Sequence, residues 1–135
     1  MAKFPTADWV NALNDKLNTD VQYARIARNW EGDLLFVVEQ GGPLAERIVF
    51  YLDLWHGKCR QAVIVDGGNE ARSAAITLKS PYPNFLKVLL GEWEPMQALM
   101  TGKLSVKGSM VLLMKNIPVV LDFVRCAREV TDAYL

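Results

Sequence analysis

Residues 34–55 read LLFVVEQGGPLAERIVFYLDLW, and the period of this stretch decides the fold class. Positions 34–39 and 46–55 are rich in Leu, Val, Ile, Phe and Tyr, residue types that suit a pleated and half-buried surface. Gly41-Gly42-Pro43 between them is a turn signal, so the pair predicts an antiparallel hairpin. Alternate side chains of a strand point to opposite faces, which puts Ile48, Phe50, Leu52 and Leu54 together on one side. Val49, Tyr51, Asp53 and Trp55 take the other. A strand apolar on nearly both faces belongs in the middle of a sheet.

Downstream, Gly57-Lys58 turns the chain into a third strand over 59–65, and Asp66-Gly67-Gly68-Asn69 turns it toward a fourth over 73–78. A four-stranded meander is the expectation, with a brief fifth strand over 103–107. Helices flank it. Thr6 is an N-cap before the stripe Trp9, Val10, Leu13, Leu17, and a second helix over 21–30 presents Tyr23, Ile26, Ala27 and Trp30 and closes at Gly32. Pro81 and Pro83 open a helix carrying Phe85, Leu86, Leu89 and Leu90 that stops at Gly91; Pro95 opens another over 96–101 that stops at Gly102. Ser109 caps the last helical region. Pro118 has no N–H to give the carbonyl of Met114, so two helices should meet near 116–118, the second running to about Tyr134. That second helix, with Leu121, Val124, Ala127 and Val130 apolar, is expected to be unanchored and free to act as a lid. No linker, repeat or low-complexity tract intervenes, and residues 1–135 read as one α+β domain.

Fifteen Lys+Arg balance fifteen Asp+Glu, and no basic run offers the electrostatic footprint of a nucleic-acid binder. Hydrophobic residues make up 51% of the chain, a high share for a domain of this size. A membrane span is not the explanation, because the longest apolar runs, 110–114 and 117–121, fall far short of about eighteen residues. Integral insertion is therefore not expected, although transient membrane contact is compatible with the composition. Residues 1–8 lack the features of a secretory signal, which points to the cytoplasm, where Cys59 and Cys126 would stay reduced. The surplus apolar surface must line a core, an interface or a cavity.

A convergent set of reactive side chains is not visible. His56 is the single histidine, with Cys59 three residues on and no further ligand at metal-binding spacing. Gly67-Gly68 lies between strands and does not open a helix, as a phosphate loop would. Glu92 and Glu94 suit a solvated surface. Asp53, a carboxylate on a central strand, needs either an Arg partner or a wet opening at a cavity mouth. No enzyme chemistry, metal or cofactor is implied.

Four methionines, Met96, Met100, Met110 and Met114, fall in one segment as two i, i+4 pairs. Flexible thioethers fill ordinary cores, but they also suit walls that adapt to apolar ligands of variable shape. With Phe85, Leu89 and Trp93 upstream, Ile117 and Leu121 downstream, and Phe50 and Leu52 on the sheet, they form the candidate ligand wall.

The stretch at 95–110, PMQALMTGKLSVKGSM, followed by Leu113-Met114-Lys115, resembles the signature of the sterol carrier protein domain, also called the nonspecific lipid-transfer domain. The resemblance spans nearly the whole chain, including the order of two N-terminal helices, strands and a strand feeding a helix. It implies a five-stranded, mostly antiparallel curved sheet covered by helices. Between them it implies a hydrophobic tunnel for fatty acids, acyl-CoAs, sterols or phospholipids. Leu104, Met110, Leu113 and Met114 match its apolar positions, and Gly102 and Gly108 its turns. Thr101 stands where family members often carry Gln. The expected partner is an apolar small molecule, such as an acyl or isoprenoid chain. The alternative is a structural or accessory module that dimerises or presents a lipid intermediate to a biosynthetic enzyme.

Overall fold

The computed structural model describes residues 2–65 and 73–135. In chain order its elements are β1 (Lys3–Phe4), α1 (Ala7–Thr19), α2 (Val21–Ile26), β2 (Glu31–Glu39), β3 (Ile48–Trp55), β4 (Lys58–Val65), β5 (Ile76–Pro81), α3 (Tyr82–Leu89), α4 (Pro95–Met100), β6 (Ser105–Gly108), α5 (Met110–Met114), α6 (Ile117–Val130) and β7 (Ala133–Tyr134). Short polar side chains start four of the helices by accepting from an otherwise orphaned backbone N–H. Thr6 takes the N–H of Trp9, Asp20 that of Tyr23, Glu94 that of Gln97 and Ser109 that of Leu112. The stripe Trp9, Val10, Leu13 and Leu17 is buried as its spacing requires. Helix α2 ends at Ile26, short of the expected position 30. Trp30 is drawn to the sheet instead, accepting the N–H of His56 on its carbonyl and donating its indole N–H to Gly32, which lies inside β2.

The sheet runs in the order β4-β3-β2-β5-β6 and does not close. Strands β2 and β3 pair antiparallel with Phe36 opposite Phe50, β3 pairs antiparallel with β4, and β5 with β6. The pairing of β2 with β5 is parallel and sets Phe36 opposite Leu78. The sheet is thus mixed but mostly antiparallel. The expected four-stranded meander stops at three, because β5 adds to the far side of β2. The reason lies in residues 34–38, all buried in β2. A strand apolar on both faces needs a neighbour on each edge, whereas β4, buried only at Cys59 and Val65, tolerates the rim. The turn expected at 66–69 lies outside the described residues.

One face of the sheet packs under α1, α3, α4 and α6 through Leu34, Phe36, Phe50, Leu52, Leu54 and Ile76. Leu35, Val37, Val49, Tyr51 and Val65 form a smaller cluster on the other. The break before Pro118 separates α5 from α6 as expected, but α6 ends at Val130 and is not free. Beyond it, Ala133 and Tyr134 pair in parallel with Lys3 and Phe4, and the N–H of Asp132 donates to the carbonyl of Ala2. Arg128 donates to the carbonyl of Val88 at 2.7 Å, and Thr131 accepts the indole N–H of Trp9 at 2.7 Å. With Val119, Cys126 and Ala127 buried, α6 is core, and the lid expectation is corrected.

Candidate ligand-binding cavity

Strand alternation turns Leu34 and Phe36 of β2 and Phe50 and Leu54 of β3 toward the helices. The rings of Phe36 and Phe50 stack at 4.8 Å, and Phe123 of α6 stacks on Phe36 from above at 6.0 Å. Trp9 meets Phe50 edge-on at 5.5 Å. Flat rings held by backbones from both layers leave the space between those layers incompletely filled. The result is a cavity of about 100 Å³ between sheet and helices.

Among the described residues, every one that lines it is apolar or aromatic. The two indoles in its wall have their N–H groups bonded elsewhere, Trp9 to Thr131 and Trp30 to Gly32. Such a space offers a ligand dispersion and release from water, with no proton donor, nucleophile or metal ligand in its wall.

Of the residues expected from the sequence, Phe50, Phe85, Leu89, Leu104 and Leu113 line this space. Leu52 is buried in the core beside it, as is Met96. Met110, Ile117 and Trp93 are half-buried against the core. Met100 is 63% exposed, and Met114 and Leu121 are exposed at 39% and 42%. Helix α4 turns Met96 into the core and Leu99 to the cavity while Met100 faces outward, and α5 sends Leu113 inward.

Residues not anticipated include Leu34, Phe36, Val88 and Leu99, and from α6 Val120 and Phe123, which join Val124 and Ala127 of the apolar stripe expected on that helix. On α6 these four follow an i, i+3, i+4, i+7 pattern that keeps Val124 and Ala127 of the expected stripe but takes Val120 and Phe123 in place of Leu121 and Val130. For Phe36 the available signal is the alternation 34, 36, 38 across a hairpin from Phe50.

Charged groups lie outside the cavity and brace its helices. Arg125 of α6 donates to Asp20 at the start of α2 at 2.6 Å, to Asp122 at 2.8 Å and to Glu129 at 3.0 Å. Arg125, and secondarily the backbone N–H of Tyr23, hold the Asp20 carboxyl well below the usual carboxylate range. Asp20, Asp122 and Cys126 place ligand-type atoms within 4.8 Å of one another, but the guanidinium already occupies this acidic corner as its cation.

Burial pushes the thiols of Cys59 and Cys126 up to about 11, and both are free. His56 pairs with Glu31 and stacks on Trp55, while the Cys59 thiol faces the carbonyl of Gln61. Asp53 takes the Arg partner: Arg60 clasps both of its oxygens at 3.1 Å on the opposite side of the sheet from the cavity.

The family model of the SCP-2 sterol transfer family matches residues 10–120. The chain is similar to a crystal structure of sterol carrier protein 2, with 34% identity and a TM-score of 0.82 over 92% of this chain and 96% of that one. It is similar also to the solution structure of a conserved protein from Thermus thermophilus, at 33% identity and TM-score 0.83 over 93% and 88% of the two chains. Sterol carrier protein 2 of Aedes aegypti, solved in complex with the C16 fatty acid palmitate, shares the fold at 20% identity and TM-score 0.52 over 83% of this chain and 90% of that one. No curated protein sequence matches the chain.

Proposed function

The chain belongs to the SCP-2 sterol transfer family, and from that premise we propose that it is a non-catalytic carrier which holds the apolar chain of a lipid between sheet and helices. The observation that supports this reading is the cavity itself: a space lined by apolar side chains, against a stacked set of phenylalanines. Burial of an alkyl chain at roughly 0.8 kcal/mol per methylene supplies the affinity. Shape and length, rather than polar contacts, set a loose selectivity.

At about 100 Å³ the space is smaller than the roughly 300–1,000 Å³ of typical small-molecule pockets, so a long chain enters by parting the helices from the sheet. Helix α5 is held lightly, burying only Leu113. Palmitate is the natural first probe, since a protein of the same fold has been solved with it.

Native mass spectrometry of protein purified without detergent, followed by titration with a fluorescent fatty acid, tests the proposal. Co-purified lipid and saturable binding near micromolar, about −8 kcal/mol, are expected. A bare chain or bare dimer, with no saturable binding of fatty acids, acyl-CoAs or sterols, overturns it in favour of a structural module.

A further inference from the structure

Trp93, in the loop between α3 and α4, is flanked by two cations. The Nζ of Lys87 lies 4.8 Å from its ring centroid and the Nζ of Lys103 lies 4.5 Å from it. Such contacts favour ammonium groups over an aromatic face, but two like charges on one ring also repel. An anion between or beside them relieves that repulsion.

No carboxylate does so among the described residues, where neither lysine has an ion pair. Glu92 and Glu94 flank the tryptophan in sequence, yet Glu94 is committed to capping α4 through the N–H of Gln97 at 2.7 Å, and Glu92 is exposed.

The frame holding these groups is fixed. The carbonyl of Lys87 accepts the N–H groups of Glu92 and Trp93, and the carbonyl of Lys103 accepts from Ser80 and Asn84 at 2.8 Å each. The backbones are pinned and the amines are left over. The position is also informative, since each of the three residues is a near neighbour in sequence of a residue that lines the cavity. Lys87 precedes Val88, Lys103 precedes Leu104 and Trp93 stands two residues before Pro95, and all three of those neighbours line the cavity.

We propose that Lys87, Lys103 and Trp93 form the receiving site for the anionic head group, carboxylate or phosphate, of a single-chain lipid whose tail enters the cavity. The inference rests on the carrier reading above. The two amines hold the head at the rim by charge-assisted hydrogen bonds, while the indole covers the first methylenes of the tail.

The test compares palmitate with hexadecanol, which has the same chain length and no charge, on the wild-type protein and on the Lys87→Gln/Lys103→Gln variant at about pH 8, where a carboxylate is ionised. Palmitate should bind the variant about ten-fold more weakly while hexadecanol stays within about two-fold, and Lys87→Arg/Lys103→Arg should retain palmitate binding. On the wild-type protein, which needs no substitution to fold, rising salt should weaken palmitate and spare hexadecanol. Competition by hexadecyl phosphate against palmitate and by inorganic phosphate alone separates a lipid head from a free anion. Equal losses for both chains, or palmitate binding insensitive to both salt and substitution, overturns the head-group site while leaving the carrier reading intact. Failure of the wild-type protein to bind either chain overturns both.

Discussion

Arg125 is the residue on which the electrostatics of the helical layer converge, joining α6 to the N-cap of α2 through Asp20. Because the Asp20 carboxyl is depressed in the folded state, its contribution to stability is complete above the ordinary carboxylate value near 4 and is lost as pH falls through the lower folded value. Thermal melts should therefore show Tm falling below about pH 4. Asp20→Asn keeps a capping side chain but removes the charge, so it should lower Tm at neutral pH and flatten the acid limb. An unchanged acid limb would show that the pair is screened by solvent. Glu129 is depressed as well, but it is exposed and adds little.

The thiols make a second test at this scale. With Cys59 and Cys126 buried and pushed up to about 11, a thiol reagent at neutral pH should label neither until the protein unfolds. Labelling at the rate of a free thiol would place one of them at the surface. Sequence alone foresaw neutral, unpaired thiols and the two options for Asp53, but it could not choose Arg60, since that choice depends on β3 and β4 lying side by side.

Among the elements, the helix starts were legible because a cap is a local device: Thr6 and Ser109 act within three residues of themselves. The strand order was not. Alternation in 73–78 reads the same whichever neighbour it pairs with, and only the unbroken apolar run of β2 hints that a second partner must come to its far edge. Gly108 shows how tight the last pairing is. Its φ is +122°, and a Cβ there would lie 2.3 Å from the carbonyl oxygen of Ala75. Gly108→Ala should consequently lower stability by at least about 1–3 kcal/mol and loosen β6 from β5, as denaturant melts and amide exchange would report. A variant as stable as the parent would mean that β6 shifts freely.

The helices also differ in how firmly they are held. Helix α6 is tied by Arg128, Thr131 and the terminal strand pair, whereas α5 buries one residue. Amides of α5 should exchange with solvent well before those of α6, and bound palmitate should slow α5 most. Uniform exchange along 110–130 would remove α5 as the yielding element.

At the scale of the whole molecule, the surplus of apolar residues was readable from composition, and so was the need for somewhere to put it. Its location was not. Composition weighs four methionines heavily because they are unusual, yet the wall is built from Phe36, Phe123 and Ala127, whose convergence depends on how β2 and α6 cross. A cavity that exists to be entered and one left by imperfect packing respond in opposite ways to being filled. Ala127 lies at the wall on α6, 3% exposed, and Leu is nearly as good a helix former as Ala. Ala127→Leu inserts its side chain into the open space, so it should hold or raise Tm while sharply weakening palmitate. The removed void had cost contacts, and the same volume is what the tail must occupy. If the space were merely a packing flaw, Tm would rise with palmitate binding, wherever it occurs, unaffected. A fall in Tm together with lost binding would show overpacking instead, and Val124→Leu, a smaller addition on the same wall, would then separate steric exclusion from unfolding. The carrier reading requires a folded variant in which stability and binding move apart.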